Sequence, residues 1–163
     1  MKTKIYFILI IIQLTSYCIA QQSSILKITD NKELNGNSYI FYSYLNNEKY
    51  TGSPTFKHQM PIDAAIVVNF PSKKEVEEIN DEFFSGVVLK RSQRLLAICK
   101  IHVPSGAIVS VSFSAKNICI DMGKLEECNI KIKEEIKFGI SFNHELTKEG
   151  YIYKTLPLLR FQK

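Results

Sequence analysis

The chain has 163 residues, 45% hydrophobic and 23% charged, with a formal net charge of +5. These proportions exclude a disordered, collagenous or cysteine-knot chain, and the length suits one domain that buries about two-thirds of its unfolded surface without a metal or a dense disulfide framework. The charge is too mild to hold the protein on nucleic acid by electrostatics alone.

Lys2 and Lys4 precede an apolar run from Ile5 to Ile12, and Cys18 and Ala20 are the small residues that a signal peptidase reads. Cleavage after Ala20 is predicted, leaving residues 21–163 as a single exported domain whose net charge falls to +3 with the loss of the two lysines. Gln13, Thr15 and Ser16 interrupt the run after about a dozen residues, short of the ~20 that a bilayer crossing takes, so no membrane span is expected in the mature chain. Thr15 and Tyr17 stand where a lipoprotein signal needs an aliphatic and a small residue before Cys18. No Asn-x-Ser/Thr occurs, which favours a bacterial envelope, periplasmic or secreted, over a eukaryotic secretory route.

After a polar lead, Ile25 to Thr29 reads as a short strand and Ser38 to Leu45 as a better one, with Ile40, Tyr42 and Tyr44 alternating against Tyr39, Phe41 and Leu45. Tyr39, Tyr42, Tyr44 and Tyr50 suit half-buried strand positions, and the alternative is a stacking surface for rings. Ala64 to Phe70 is an apolar run of strand length between Pro61 and Pro71, expected to be covered on both faces. Residues 21–70 thus form an N-terminal strand region.

Ser72-Lys73-Lys74-Glu75 fits a capping box, Val76, Ile79 and Phe83 give the helix one apolar stripe, and Gly86 marks its stop. Lys90, Arg91 and Arg94 form the densest basic cluster, read as a solvated stretch before a strand. Leu95 to Val103 and Ala107 to Phe113 form the strongest hairpin, turned by Pro104-Ser105-Gly106. Alternation puts Ala97, Cys99, Ile101 and Val103 inward with Ala107, Val109, Val111 and Phe113.

Asp121 caps a second helix with Glu126 and Glu127 early in it and Leu125, Cys128, Ile132 and Ile136 as its buried stripe. Phe138 to Phe142 alternates as a short strand, Asn143 to Gly150 is a polar loop, and Tyr151 to Phe161 is the last strand. Pro157 lacks the N–H of a central ladder, so this strand has a free edge or a bulge there. The expectation is an α+β fold, an antiparallel sheet with two helices.

Cys99, Cys119 and Cys128 permit one internal disulfide at most. Inward-facing Cys99 and Cys128 are the pair selected by the pattern, and buried unpaired thiols are the alternative. No zinc spacing occurs, and His102 falls on the strand face opposite Cys99. His144-Glu145 begins a zinc-protease motif, but Lys148 takes the second ligand's place. No phosphate loop, nucleophile elbow or calcium loop is present, and His58, His102 and His144 have no sequence neighbour that makes them catalytic. No cofactor or metal is expected.

Within residues 71–163, the order helix, strand, tight turn, strand, helix, short strand and final strand from about Lys74 onward resembles the C-terminal domain of TonB-like periplasmic proteins. Ser105-Gly106 sits where that family's hairpin turn carries Asp/Asn-Gly, Ile120-Asp121 through Leu125 resembles the start of its second helix, and Leu156-Pro157-Leu158-Leu159-Arg160-Phe161 is similar to its closing Leu-Pro-x-x-Phe strand. The family's Trp-x-Pro is Phe138-Gly139-Ile140 here, and its Pro-rich linker is missing. The resemblance therefore implies a fold and a binding mode more than energy transduction.

The functional expectation is a noncatalytic module that binds an envelope or membrane protein by strand addition along the last strand, with Tyr151, Tyr153, Pro157 and Arg160 as the candidate interface. The alternative is a small-ligand or lipid-binding protein whose cavity is lined by residues 39–45 and 64–70, and a secreted hydrolase is the third reading.

Overall fold

Leu26–Leu34 (β1) and Asn37–Tyr44 (β2) open the architecture as an antiparallel hairpin turned at Asn35-Gly36. Both turn residues have positive φ, 50° and 69°, the geometry for which Asn-Gly is selected in two-residue turns. The computed structural model describes residues 26–44, 50–57 and 61–160, the side chain of Arg160 excepted. The leader with Cys18, and also His58 and Phe161, lie outside the described residues.

The remaining elements are Thr55–Phe56 (β3), the single turn Ile62–Ala65 (α1), Ile66–Asn69 (β4), Lys73–Phe84 (α2), Arg94–Val103 (β5), Ile108–Lys116 (β6), Met122–Glu135 (α3), Gly139–Phe142 (β7), Leu146–Lys148 (β8) and Gly150–Arg160 (β9). A five-stranded antiparallel sheet runs β1-β2-β6-β5-β9, with two small ladders, β3 with β8 and β4 with β7. The fold is α+β, as the sequence predicts.

One core joins the N-terminal strands to the rest. Leu26 and Tyr42 of the first hairpin bury in it with Ala97, Cys99 and Ile101 of β5, Val111 and Phe113 of β6, Leu125, Cys128 and Ile132 of α3, and Ile79 and Phe84 of α2. Each large apolar side chain so buried contributes about 1.5–3 kcal/mol. Asn117 fastens the hairpin to the end of β6: its amide Oδ1 accepts from Ser38 N–H at 2.8 Å, while its Nδ2 donates to Asn37 Oδ1 at 2.8 Å.

The helices begin where the sequence puts them. Ser72 and Glu75 form both halves of a capping box, and the hydrogen bond with Ser72 holds the Glu75 carboxyl below the usual carboxylate range. Asp121 accepts from Lys124 N–H at 3.0 Å. Leu125, Cys128, Ile132 and Ile136 are buried as expected, with Phe84 joining the expected α2 stripe.

Three expectations are corrected. The apolar run 64–70 is not a strand covered on both faces: the amides of Ala64 and Ala65 bond back to Pro61 in the turn α1, and β4 pairs with β7 alone, leaving Val67 and Phe70 exposed. A bulge at Val109 shifts the β5–β6 register, so Ile108 enters the core where Val109 and Ala107 were expected. The polar stretch 143–150 contains β8, which pairs with β3 through backbone that side-chain polarity does not report.

Candidate functional site

Among the described residues β9 has β5 on one side and no strand on the other, so it is an edge of the main sheet they form. Its register with β5 skips Leu158, a bulge next to Pro157. Tyr151 donates its N–H to Gly52 O at 2.9 Å, away from β5. Because alternate residues of a strand turn their backbone groups to the same side, Tyr153, Thr155 and Pro157 also face outward, while Ile152, Lys154 and Leu156 face β5. Pro157 therefore removes a donor that the ladder does not use. The N–H groups of Tyr153 and Thr155 take no partner outside the sheet among the described residues.

Gly150 brings the 50–54 segment against the start of β9, since a Cβ there would collide with the backbone of Ser53 and Pro54. Beyond that contact two clefts border β9. One of about 430 Å³ lies beside Tyr151 to Lys154, with Ser53, Asp63, Ile66 and Val68 opposite. The other, about 810 Å³, lies between Leu156 to Leu159, α2 and residues 85–89. Phe70, Val76, Phe84, Val87, Leu156 and Leu158 give it apolar walls, and Glu77, Asn80 and Asp81 line it from α2. Asn80 Oδ1 is buried without a hydrogen-bond partner among the described residues.

The expected interface residues separate. Tyr151 and Tyr153 share a sheet face with His102 and Lys100, their β5 partners. Tyr151 packs against the rings of Tyr50 and His102 at 5.7 and 5.5 Å, whereas Tyr153 is 61% exposed. Lys100, only 8% exposed, donates to Tyr50 O at 2.7 Å and holds its ammonium 5.1 Å from the Tyr153 ring. Pro157 borders the larger cleft, and Arg160 closes β9 opposite Arg94. Sequence reading missed Asn80 and Asp81; the i, i+4 spacing of Asp81 from Glu77 on a helix face was the available signal.

His102 stands in a constellation that sequence spacing did not announce. Its Nδ1 lies 2.9 Å from Ser105 Oγ and its Nε2 3.3 Å from Glu149 Oε2. A serine, an imidazole and a carboxylate in a row invite comparison with an acyl-transfer triad. The neighbouring donors argue otherwise: Ala107 N–H bonds Ser105 Oγ at 3.3 Å and Gly106 N–H bonds His102 O at 3.0 Å, so neither is free to stabilise an oxyanion. These contacts tie the β5–β6 turn to the start of β9.

The expected Cys99–Cys128 disulfide is not formed. Both face inward as expected, but both are free thiols in the apolar core, which suffices to hold a small apolar side chain there without a bond. Burial pushes each thiol up to about 12, with the neighbouring Cys128 charge adding at Cys99 and that of Glu82 at Cys128. Cys119 is exposed.

The four tyrosines do not make one surface: Tyr42 is buried, and Tyr44 accepts a hydrogen bond from Asn129 Nδ2 at 2.9 Å. Burial, with the Glu126 charge, pushes the Tyr44 hydroxyl up to about 12. No residue of β2 lines either of these two clefts. Lys90 lies in a turn held by its N–H bond to Gln93 Oε1 at 2.8 Å, and Arg91 and Arg94 are exposed beside it. Among the described residues no three His, Cys, Asp or Glu side chains are grouped to hold a metal, and no helix is long and apolar enough to cross a membrane.

No protein-family model and no curated protein matches this chain. Its structure is similar to the crystal structure of a DUF5043 family protein from Bacteroides uniformis, with 15% sequence identity and a TM-score of 0.53 over 86% of this chain and 90% of that one. At that identity the likeness concerns the fold alone.

Proposed function

We propose that this protein is an exported, noncatalytic envelope component that captures an extended segment of a partner protein by strand addition on the outer edge of β9. The observation that carries this reading is the direction of the β9 backbone, with Tyr153 and Thr155 turning outward, between two clefts, N–H groups that no described residue uses. Main-chain bonds to these groups supply affinity, and alternate side chains entering the clefts supply selectivity. The opposite edge, β1, is a weaker candidate because it carries Lys27, Asp30, Lys32 and Glu33 along its length, the charges with which edge strands discourage pairing.

The test is recovery of envelope proteins on immobilised protein beside a Tyr153→Pro variant, followed by hydrogen exchange on the recovered complex. Strand addition requires that capture be lost in the variant and that the Tyr153 and Thr155 amides become protected in the complex. Equal capture by the variant overturns it. A second reading, a small apolar ligand in the larger cleft, is favoured by a volume within the range of small-molecule sites, and native mass spectrometry of the purified protein tests it by a copurifying mass.

A further inference from the structure

Helix α2, which walls the larger cleft, carries five carboxylates and two lysines, a net −3 within a chain of net +5, and of these Lys73, Glu77 and Asp81 line the cleft, a net −1. Both lysines are already engaged, Lys73 with Glu77 at 3.1 Å and Lys74 with Glu78 at 3.6 Å, and Glu82 pairs with Lys131 at 3.2 Å. Asp81, exposed and lining the cleft one turn after Glu77, takes no ion pair among the described residues. Leu156 and Leu158 of β9, with Phe84 and Val87, give the same cleft apolar lining.

An extended segment laid on Tyr153 and Thr155 continues past Leu156 along this cleft, and every second side chain of it points to the α2 side. We propose that the captured segment is basic, with an apolar side chain seated against Phe84, Val87 and Leu158 and a lysine or arginine two residues away that meets Asp81 beside the Lys73–Glu77 pair. This rests on the strand-addition reading and names the class of segment it selects. The exposed lip formed by Phe70, Val87 and Val88, the last 92% exposed, also has the look of a lipid-inserting tip. An anionic membrane surface would meet the net −3 of α2 there, whereas a basic peptide is attracted by it.

The experiment measures fluorescence anisotropy of two labelled heptapeptides, valine alternating with lysine and valine alternating with glutamate, against the full chain, its Asp81→Asn variant and its Tyr153→Pro variant. Binding of the lysine peptide is expected, with the glutamate peptide at least about tenfold weaker, a loss of about fivefold in Asp81→Asn and no binding in Tyr153→Pro. If Tyr153→Pro melts below the wild type, Thr155→Pro, which removes the next outward donor, takes its place. Equal binding of both peptides, lost in the proline variant, overturns the basic assignment and leaves strand addition standing. Binding that survives both proline variants, or no binding of either peptide, overturns both. Capture by phosphatidylglycerol vesicles that is lost in Val88→Asp, without binding of the lysine peptide, overturns the peptide occupant in favour of lipid.

Discussion

Gly106 sits at φ 70° with the Phe138 carbonyl so close that an added Cβ would collide with it, and its own carbonyl accepts from Phe138 N–H at 3.3 Å. Left-handed backbone strain and the collision add, so Gly106→Ala is expected to lower stability by about 2–4 kcal/mol, read from urea denaturation. The neighbouring Ser105 serves the same turn. A fluorophosphonate should leave Ser105 unlabelled, and Ser105→Ala should cost about 1 kcal/mol of stability; labelling would show an acyl-transfer site after all. The buried thiols of Cys99 and Cys128 give a third expectation. Their ordinary value is 9.0 and their folded value about 12, so the folded protein keeps two protons that the unfolded chain releases in that window. Stability is therefore fully present below pH 9 and falls as pH rises towards 12, with a slope of up to about 1.4 kcal/mol per pH unit for each thiol. Denaturation midpoints from pH 8 to 11 check this, and a Cys99→Ala, Cys128→Ala double variant should flatten the curve.

At the scale of elements, β9 makes the sharpest test because its two sides differ. Tyr153→Pro removes an outward donor, whereas Lys154→Pro removes one aimed at β5, so the second should be the more destabilising by about 2 kcal/mol or more in chemical denaturation. Similar losses in both would show that the direction of the strand has been misassigned. Much of this level was legible beforehand. Ser72 with Glu75, Asp121, and the Pro104-Ser105-Gly106 turn are local signals whose chemistry is complete within a few residues, and each appears where expected. Asn35-Gly36 was equally local, and reading it would have carried the first strand on to Leu34. The bulge at Val109 and the β3–β8 ladder were not legible, because both depend on which backbone comes alongside. The same limit applied to the site. Pro157 announced an edge or a bulge and has both, but the cleft beside it is built from α2 and residues 85–89, which sequence reading treated as a helix and its stop.

For the whole molecule, the sheet order places protection unevenly. β5 is paired on both sides, by β6 and β9, and every second residue of it is buried in the core, so its amides should exchange slowest with deuterated solvent. The Tyr153 and Thr155 amides should exchange among the fastest of β9, and slow exchange there in the isolated protein would mean that another segment already occupies the edge. The sheet also fixes what an attachment point does. Leu26 is buried, and its N–H is held by Glu126 Oε1 at 3.1 Å at the β1 side of the sheet. Four inter-strand steps of about 4.8 Å separate β1 from β9, a distance of about 19 Å. A bead, dye or surface coupled ahead of Leu26 therefore stands off the far rim and presents β9 outward, while a tag fused after Arg160 crowds the edge it was meant to report.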